Sequence, residues 1–160
     1  MQEIRYRAIG IIRSPFKGIK GMPIQPAGAK GVGGTIEMEP AYVEGLRDIE
    51  GFSHLILIYH FHLSEGYSLE VRPFMDDSLH GVFATRAPRR PNSIGISIVR
   101  LVKVQGRTLQ IEDVDIVDGT PLLDIKPYDP EFDVRKVERT GWLSKRAHKV
   151  SDVQADERFR

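Results

Sequence analysis

The run Phe52-Ser-His-Leu-Ile-Leu-Ile-Tyr-His-Phe-His-Leu63 constrains the fold more than any other stretch of the chain. Successive side chains of a strand point to opposite faces. Leu55, Leu57, Tyr59 and Phe61 therefore share one face, and Ile56 and Ile58 the other. A strand apolar on both sides predicts cover on both sides, as in a barrel or a layered sheet. Shorter apolar runs read as further strands: Ile4 to Arg13, Thr35 to Met38, Val82 to Ala84, Ile94 to Val104, Thr108 to Ile116 and Leu122 to Ile125. Gly106-Arg107 makes a hairpin of the Ile94 and Thr108 strands. One helical segment is expected, opened by Pro40, carrying Val43, Leu46 and Ile49, and ended by Gly51. Many short strands and few helices predict a mainly β fold: a single seven-stranded-type β-barrel with small helical additions.

At 160 residues the chain is expected to form one domain, the barrel over 1–143 followed by a charged tail over 144–160. It has no cysteine, which excludes disulfides, thiolate metal sites and cysteine nucleophiles and fits a reducing cytoplasm. No run approaches the roughly 20 apolar residues of a membrane helix, and no leader is expected at the N-terminus. The net charge is only +1, so contact with nucleic acid requires a local patch. Trp142-Leu143 is the last obvious apolar anchor; beyond it Lys145 to Lys149 is basic and the chain ends Arg-Phe-Arg.

That patch is legible between Gly81 and Ser97, where Arg86, Arg89 and Arg90 are interleaved with Pro88 and Pro91 and followed by Asn92. Each proline fixes its own φ and drives the preceding residue toward extended geometry. The arginines thus stand on a stiff loop, expected between two core strands, and arginine suits two-pronged recognition of carboxylate or phosphate. A second loop, Lys17 to Gly34, holds six glycines and two prolines but lacks the Gly-Lys-Ser/Thr of a phosphate-cradling loop. Glu65 to His80 is polar and irregular and reads as a loop over the site. Asp118-Gly-Thr-Pro121 is a turn between two apolar runs. His54, His60 and His62 share a strand face, and His60-x-His62 imitates a zinc pair. Only His80 could supply a third histidine nearby, and no carboxylate accompanies the pair, so no metal is expected and a histidine-ligated metal enzyme is an alternative.

Four motifs in order, Ile9-Gly-Ile-Ile-Arg-Ser-Pro15, Gly51-Phe-Ser-His-Leu55, Phe83 to Ser97 and Asp118 to Tyr128, closely resemble the tRNA-methyltransferase O family over nearly all of residues 5–133. The resemblance implies a homodimer and methyl transfer from S-adenosylmethionine to the exocyclic N6 amine of a threonylcarbamoyl-modified adenosine beside the tRNA anticodon. It assigns the cofactor to Gln25, Pro26, Ala27, His62, Leu63, Arg86, Ile96 and the backbone of Asp115, Ile116, Val117 and Asp118. Such an amine is urea-like and must lose a proton as it is methylated. Asp118, at its strand-to-turn junction, is expected to act as the base or to orient it, with Arg86 holding a carboxylate of cofactor or substrate. Arg89, Arg90, Asn92 and Lys126 are expected to face the anticodon loop of the RNA. A non-catalytic RNA-binding barrel using the same arginine loop is the other alternative.

Overall fold

The computed structural model describes residues 1–24, 26–145 and 154. Six antiparallel strands close into a barrel: β1 (Gly10–Arg13), β2 (Gly34–Met38), β3 (His54–His60), β6 (Ile94–Gln105), β7 (Thr108–Glu112) and β8 (Thr120–Pro127). Their order around the barrel is β1-β2-β7-β6-β3-β8, and β8 returns to β1 through Ile11↔Pro121 and Ile12↔Thr120. Between β3 and β6 a two-stranded ribbon, β4 (Glu70–Val71) and β5 (His80–Gly81), stands outside the barrel. It gathers its own small cluster from Val71, Val82, Ala87 and Phe74. A short helix, α1 (Pro130–Asp133), follows β8, with Asp129 capping it through the Glu131 N–H.

The period of two fills the barrel. Leu55, Leu57 and Tyr59 of β3 point inward with Ser97 and Val99 of β6, joined by Ile12, Ile36, Leu109, Ile111 and Leu122. Burying side chains of this size stabilises by about 1.5–3 kcal/mol each before chain entropy is subtracted, so this interior is the main source of stability. Gly106, at φ 60°, makes the β6–β7 turn as the sequence predicts. A register shift between Leu101 and Lys103 restores the inward phase at Val104.

The fold class is as expected, with six barrel strands among the described residues instead of seven. Val82–Ala84 is a 3-10 turn, not a strand, and Phe83 is exposed. This stretch serves the outer ribbon, so the arginine loop joins the ribbon to β6 and does not span two core strands. The first strand starts at Gly10, not Ile4, because Ile9 makes the last rungs: its N–H donates to Leu122 and its carbonyl accepts from Glu39. Gly10 passes so close to β2 that a Cβ there would lie 2.6 Å from the Glu37 carbonyl oxygen. The Thr108 strand ends at Glu112 because Asp113 turns left-handed, at φ 65°. The Pro40 segment is two 3-10 turns broken at Asp48, φ 68°, yet Val43, Leu46 and Ile49 pack on the core as their spacing predicts. Among the described residues nothing fully covers the outer face of β3: Ile56 and Ile58 are half-buried, and Ile94, Ile96 and Ile98 beside them are exposed.

Candidate active site

One end of the barrel is closed by three connections that meet over an apolar pocket. Ile19, Met22, Pro23 and Ile24 contribute from the glycine-rich loop; Tyr59, Phe61, His62, Leu63 and Ser64 come from the end of β3 and the residues after it. Phe74 and Pro88 come from the outer ribbon and the arginine loop, and Asp115, Ile116, Val117 and Thr120 from the β7–β8 connection. That connection is stapled to the strand opposite. Ser14 Oγ donates to the Ile116 carbonyl, Asp118 N–H to Phe16 and Gly119 N–H to Ile12. Thr120 Oγ1 donates to Val117 O at 2.7 Å and lies 3.3 Å from His62 Nδ1, which fixes the histidine against the turn. Burial, and then the neighbouring His60, pull the His62 pKa below its ordinary value, with Asp118 opposing.

The pocket floor holds a buried polar chain. Ser97 Oγ donates to Asp115 Oδ1 at 2.6 Å and lies 2.9 Å from Tyr59 Oη. Asp115 is 9% exposed. Desolvation raises its pKa to about 6, against the lowering effect of the Ser97 hydrogen bond and of Arg86. Burial, with the Asp115 charge, also raises the Tyr59 phenol, which is therefore neutral.

Several expected site residues meet here. His62, Leu63, Asp115, Ile116 and Val117 all line the pocket, and Arg86 acts electrostatically on both Asp115 and Tyr59 from the loop containing Pro88. The 3-10 turn Pro26–Ala29 begins two residues after Ile24 and leaves Ala27 exposed, while Gln25, between them, lies outside the described residues. Arg89 packs on the turn after Ser64, its Nη2 3.9 Å from where a Cβ of Gly66 would sit, and Asn92 is exposed on the same loop.

Others stand elsewhere. Asp118 faces a separate groove with Arg13, Ser14 and Lys17. Its Oδ1 accepts from the Ser14 N–H at 3.1 Å and its Oδ2 pairs with Lys17 Nζ at 2.8 Å, which hold its carboxyl below the ordinary range. A carboxylate stabilised in its charged form is a poor proton acceptor, so the base role expected of Asp118 is not supported by its placement. Lys126 lies in β8 rather than on a loop. It pairs with Asp124 at 2.8 Å and sits six residues from Thr120, roughly 20 Å along an extended strand. Arg90 Nη1 donates to Thr85 O and Ala87 O, stapling its own loop. Ile96 points outward from β6, away from the pocket. Among the described residues no three histidine, aspartate or glutamate side chains gather as a metal site. His80 is committed to Asp76, at 3.0 Å, and stacks on Trp142 at 4.6 Å between ring centroids. Trp142 Nε1 also donates to Ala84 O, so this anchor clamps the base of the arginine loop; beyond the turn Gly141–Lys145 the tail, apart from Gln154 opposite Pro23, lies outside the described residues.

The sequence reading passed over the Asp115 carboxylate, using only its backbone, and passed over Tyr59 and Ser97. For two of them the signal was present: Tyr59 and Ser97 stand amid Leu57 and Val99 on strands, whereas Asp115 lies past the end of β7, where no strand period marks it. Buried polar groups need partners, and these three partner one another.

A model of the tRNA-methyltransferase O N-terminal domain matches residues 11–134. The chain is 61% identical over 156 residues to the "Probable S-adenosyl-L-methionine-binding protein" of Pyrococcus abyssi, covering 98% of this chain and 85% of that one. It is 39% identical over 140 residues to the tRNA (adenine(37)-N6)-methyltransferase of Escherichia coli, covering 81% of this chain and 60% of that one. A crystal structure of TrmO superposes with a TM-score of 0.75 at 42% identity, over 88% of this chain and 64% of that one. The chain therefore spans somewhat under two thirds of the Escherichia coli enzyme and of that solved structure. Barrel, motif order and identity agree: this chain belongs to the tRNA-methyltransferase O family.

Proposed function

We propose that this chain methylates the exocyclic amine of a threonylcarbamoyl-modified adenosine beside a tRNA anticodon, using S-adenosylmethionine. The observation that carries the reading is the apolar pocket at the barrel mouth, lined by the Asp115 carboxylate, on which the charge of Arg86 acts. The lining fits such a cofactor. Ile19, Ile116 and Val117 offer an adenine ring flat apolar walls, and the backbone of Asp115 to Val117 can bracket it. Tyr59, Phe61 and Phe74 present aromatic surface of the kind that favours a sulfonium cation. Arg86 is suited to a carboxylate, on the cofactor or on the substrate's threonyl group. When bound, the cofactor supplies an activated methyl group for in-line displacement.

What the chain adds is position. Pro88 and Pro91 hold the arginine loop stiff, Arg90 staples it and Trp142 clamps its base, so Arg86 and Arg89 meet RNA in a pre-set geometry. The Ile94, Ile96, Ile98 face suits a second copy of the chain across a two-fold axis, giving a homodimer. No helix among the described residues is long and apolar enough to cross a membrane, and we place the reaction in the cytoplasm with its tRNA.

Binding of S-adenosylmethionine is tested by thermal shift, since a ligand taken only by the folded state raises Tm by mass action. A folded protein with no shift at millimolar ligand overturns the enzyme reading and leaves the non-catalytic RNA-binding one. For the dimer, Ile96→Glu is expected to sediment as a monomer; an unchanged sedimentation coefficient refutes that interface.

A further inference from the structure

Resting on that functional reading, we propose that the Asp115 side chain, seated by Ser97 and Tyr59, is the catalytic proton acceptor of the methyl transfer. The geometry gives three reasons. Asp115 lines the pocket, whereas Asp118 lines a different groove. Its carboxylate is fixed in place, Oδ1 accepting from Ser97 Oγ at 2.6 Å and the group accepting also from its own backbone N–H. And Ser97 is itself braced by Tyr59 Oη, so the carboxylate is pre-oriented at no cost during the reaction.

The step balances within the named groups. The N–C bond forms from the amine's electron pair, the S–C bond of the sulfonium methyl donor breaks with its pair left on sulfur, and the N–H proton passes to Asp115. Product release returns that proton to water. The groups facing Asp115 bear on when it can act. Ser97 favours its charged form by donating to it; Arg86 favours it by its charge; the Tyr59 phenol stays neutral. His62, on the same pocket wall, has its pKa lowered by burial and by His60, against the charge of Asp118. Burial dominates, placing the Asp115 transition near pH 6, where an acceptor can be both charged and basic at neutral pH.

The test is single-turnover methylation of tRNA carrying the modified adenosine, measured from pH 5 to 8. The parent rate is expected to rise with pH through an inflection near 6. Asp115→Asn is expected to lose a hundredfold or more, the usual contribution of a positioned acceptor, while cofactor affinity by calorimetry stays within a few-fold. Ser97→Ala removes a donor to the carboxylate, so its inflection moves upward; this variant keeps the idea open to refutation if Asp115→Asn does not fold. Carbon-13 carboxyl resonances of the ligand-free protein supply a readout independent of activity: one aspartate titrating near pH 6, absent in Asp115→Asn. Four results overturn the assignment: near-parent turnover in Asp115→Asn, loss of cofactor affinity in place of rate, an inflection unmoved by Ser97→Ala, or no such aspartate resonance. A parent protein that binds no cofactor and methylates no tRNA overturns the functional reading itself, and this assignment with it.

Discussion

Gly95→Ala joins barrel packing to the site in one methyl group. Gly95 lies on β6 directly opposite Tyr59, and the tyrosine ring covers the space where its side chain would be. A Cβ there would sit 2.4 Å from Tyr59 Cε2 and 2.7 Å from Phe61 Cζ. Carbon atoms prefer about 3.5–4.0 Å, so the ring must retreat by roughly 1 Å. The ring cannot retreat freely, because Tyr59 is buried, meets Phe61 edge-on at 5.5 Å and holds Ser97 at 2.9 Å. A shift of that size stretches the hydroxyl contact beyond hydrogen-bonding range. Overpacking costs about 1–3 kcal/mol, and the weakened buried hydrogen bond about 1 kcal/mol more. Alanine restricts the unfolded chain and returns about 0.4–1 kcal/mol, which is too little to offset the clash. In a domain of this size each kcal/mol lowers Tm by about 2–4 °C, so a fall of roughly 2–14 °C is expected by calorimetry. Gly45→Ala is the control, since nothing lies within 4 Å of its Cβ position, and it should melt level with the parent or up to about 4 °C above it. A Gly95→Ala protein that melts at or above the parent would refute the packing of Tyr59 over Gly95, and with it the bracing of Asp115.

Further expectations concern charge. Asp118→Asn keeps an acceptor for the Ser14 N–H and loses only the ion pair to the largely exposed Lys17, so stability should fall by no more than about 1 kcal/mol and turnover by a few-fold; a hundredfold loss of turnover with the fold intact restores Asp118 as the base. Asp115 binds its proton more tightly folded than unfolded, so its stabilising contribution is complete below about pH 3.8 and is lost as pH rises through about 6. Urea melts of parent and Asp115→Asn should therefore diverge between pH 4 and 7, the parent losing stability relative to the variant; His62, whose lowered pKa gives the opposite slope, cancels in the difference. Arg89→Ala should reduce the slope of log affinity for tRNA against log salt by about one, and an unchanged slope removes Arg89 from the RNA contact.

The barrel was legible because β3 is a long apolar run and β7 alternates apolar and polar residues with the period of two that its burial follows; in β6 the isoleucines face outward and Gly95 and Ser97 inward. Gly106 and Gly119, each at positive φ, mark real turns. The arginine loop, with its prolines, and the family motifs were legible too. What local sequence cannot carry is which strand finds a neighbour. Val82 to Ala84 has strand composition, but it serves the ribbon and has no rung in the barrel. Ile4 to Ala8 could extend β1, yet pairing to β8 and β2 ends around Ile9 and Gly10. The two aspartates of the β7–β8 connection make the same point for chemistry. Asp115 and Asp118 are three residues apart in one polar-apolar run, and nothing in that run ranks them. Closure of the barrel buries Asp115 against Ser97, contributed by a strand on the far side of β3 from β8, and turns Asp118 toward Lys17. Desolvation raises one carboxyl and an ammonium lowers the other. Both effects depend on distances across the fold, so the sequence alone determined that an aspartate stands at this turn, and the tertiary structure decided which one can take a proton.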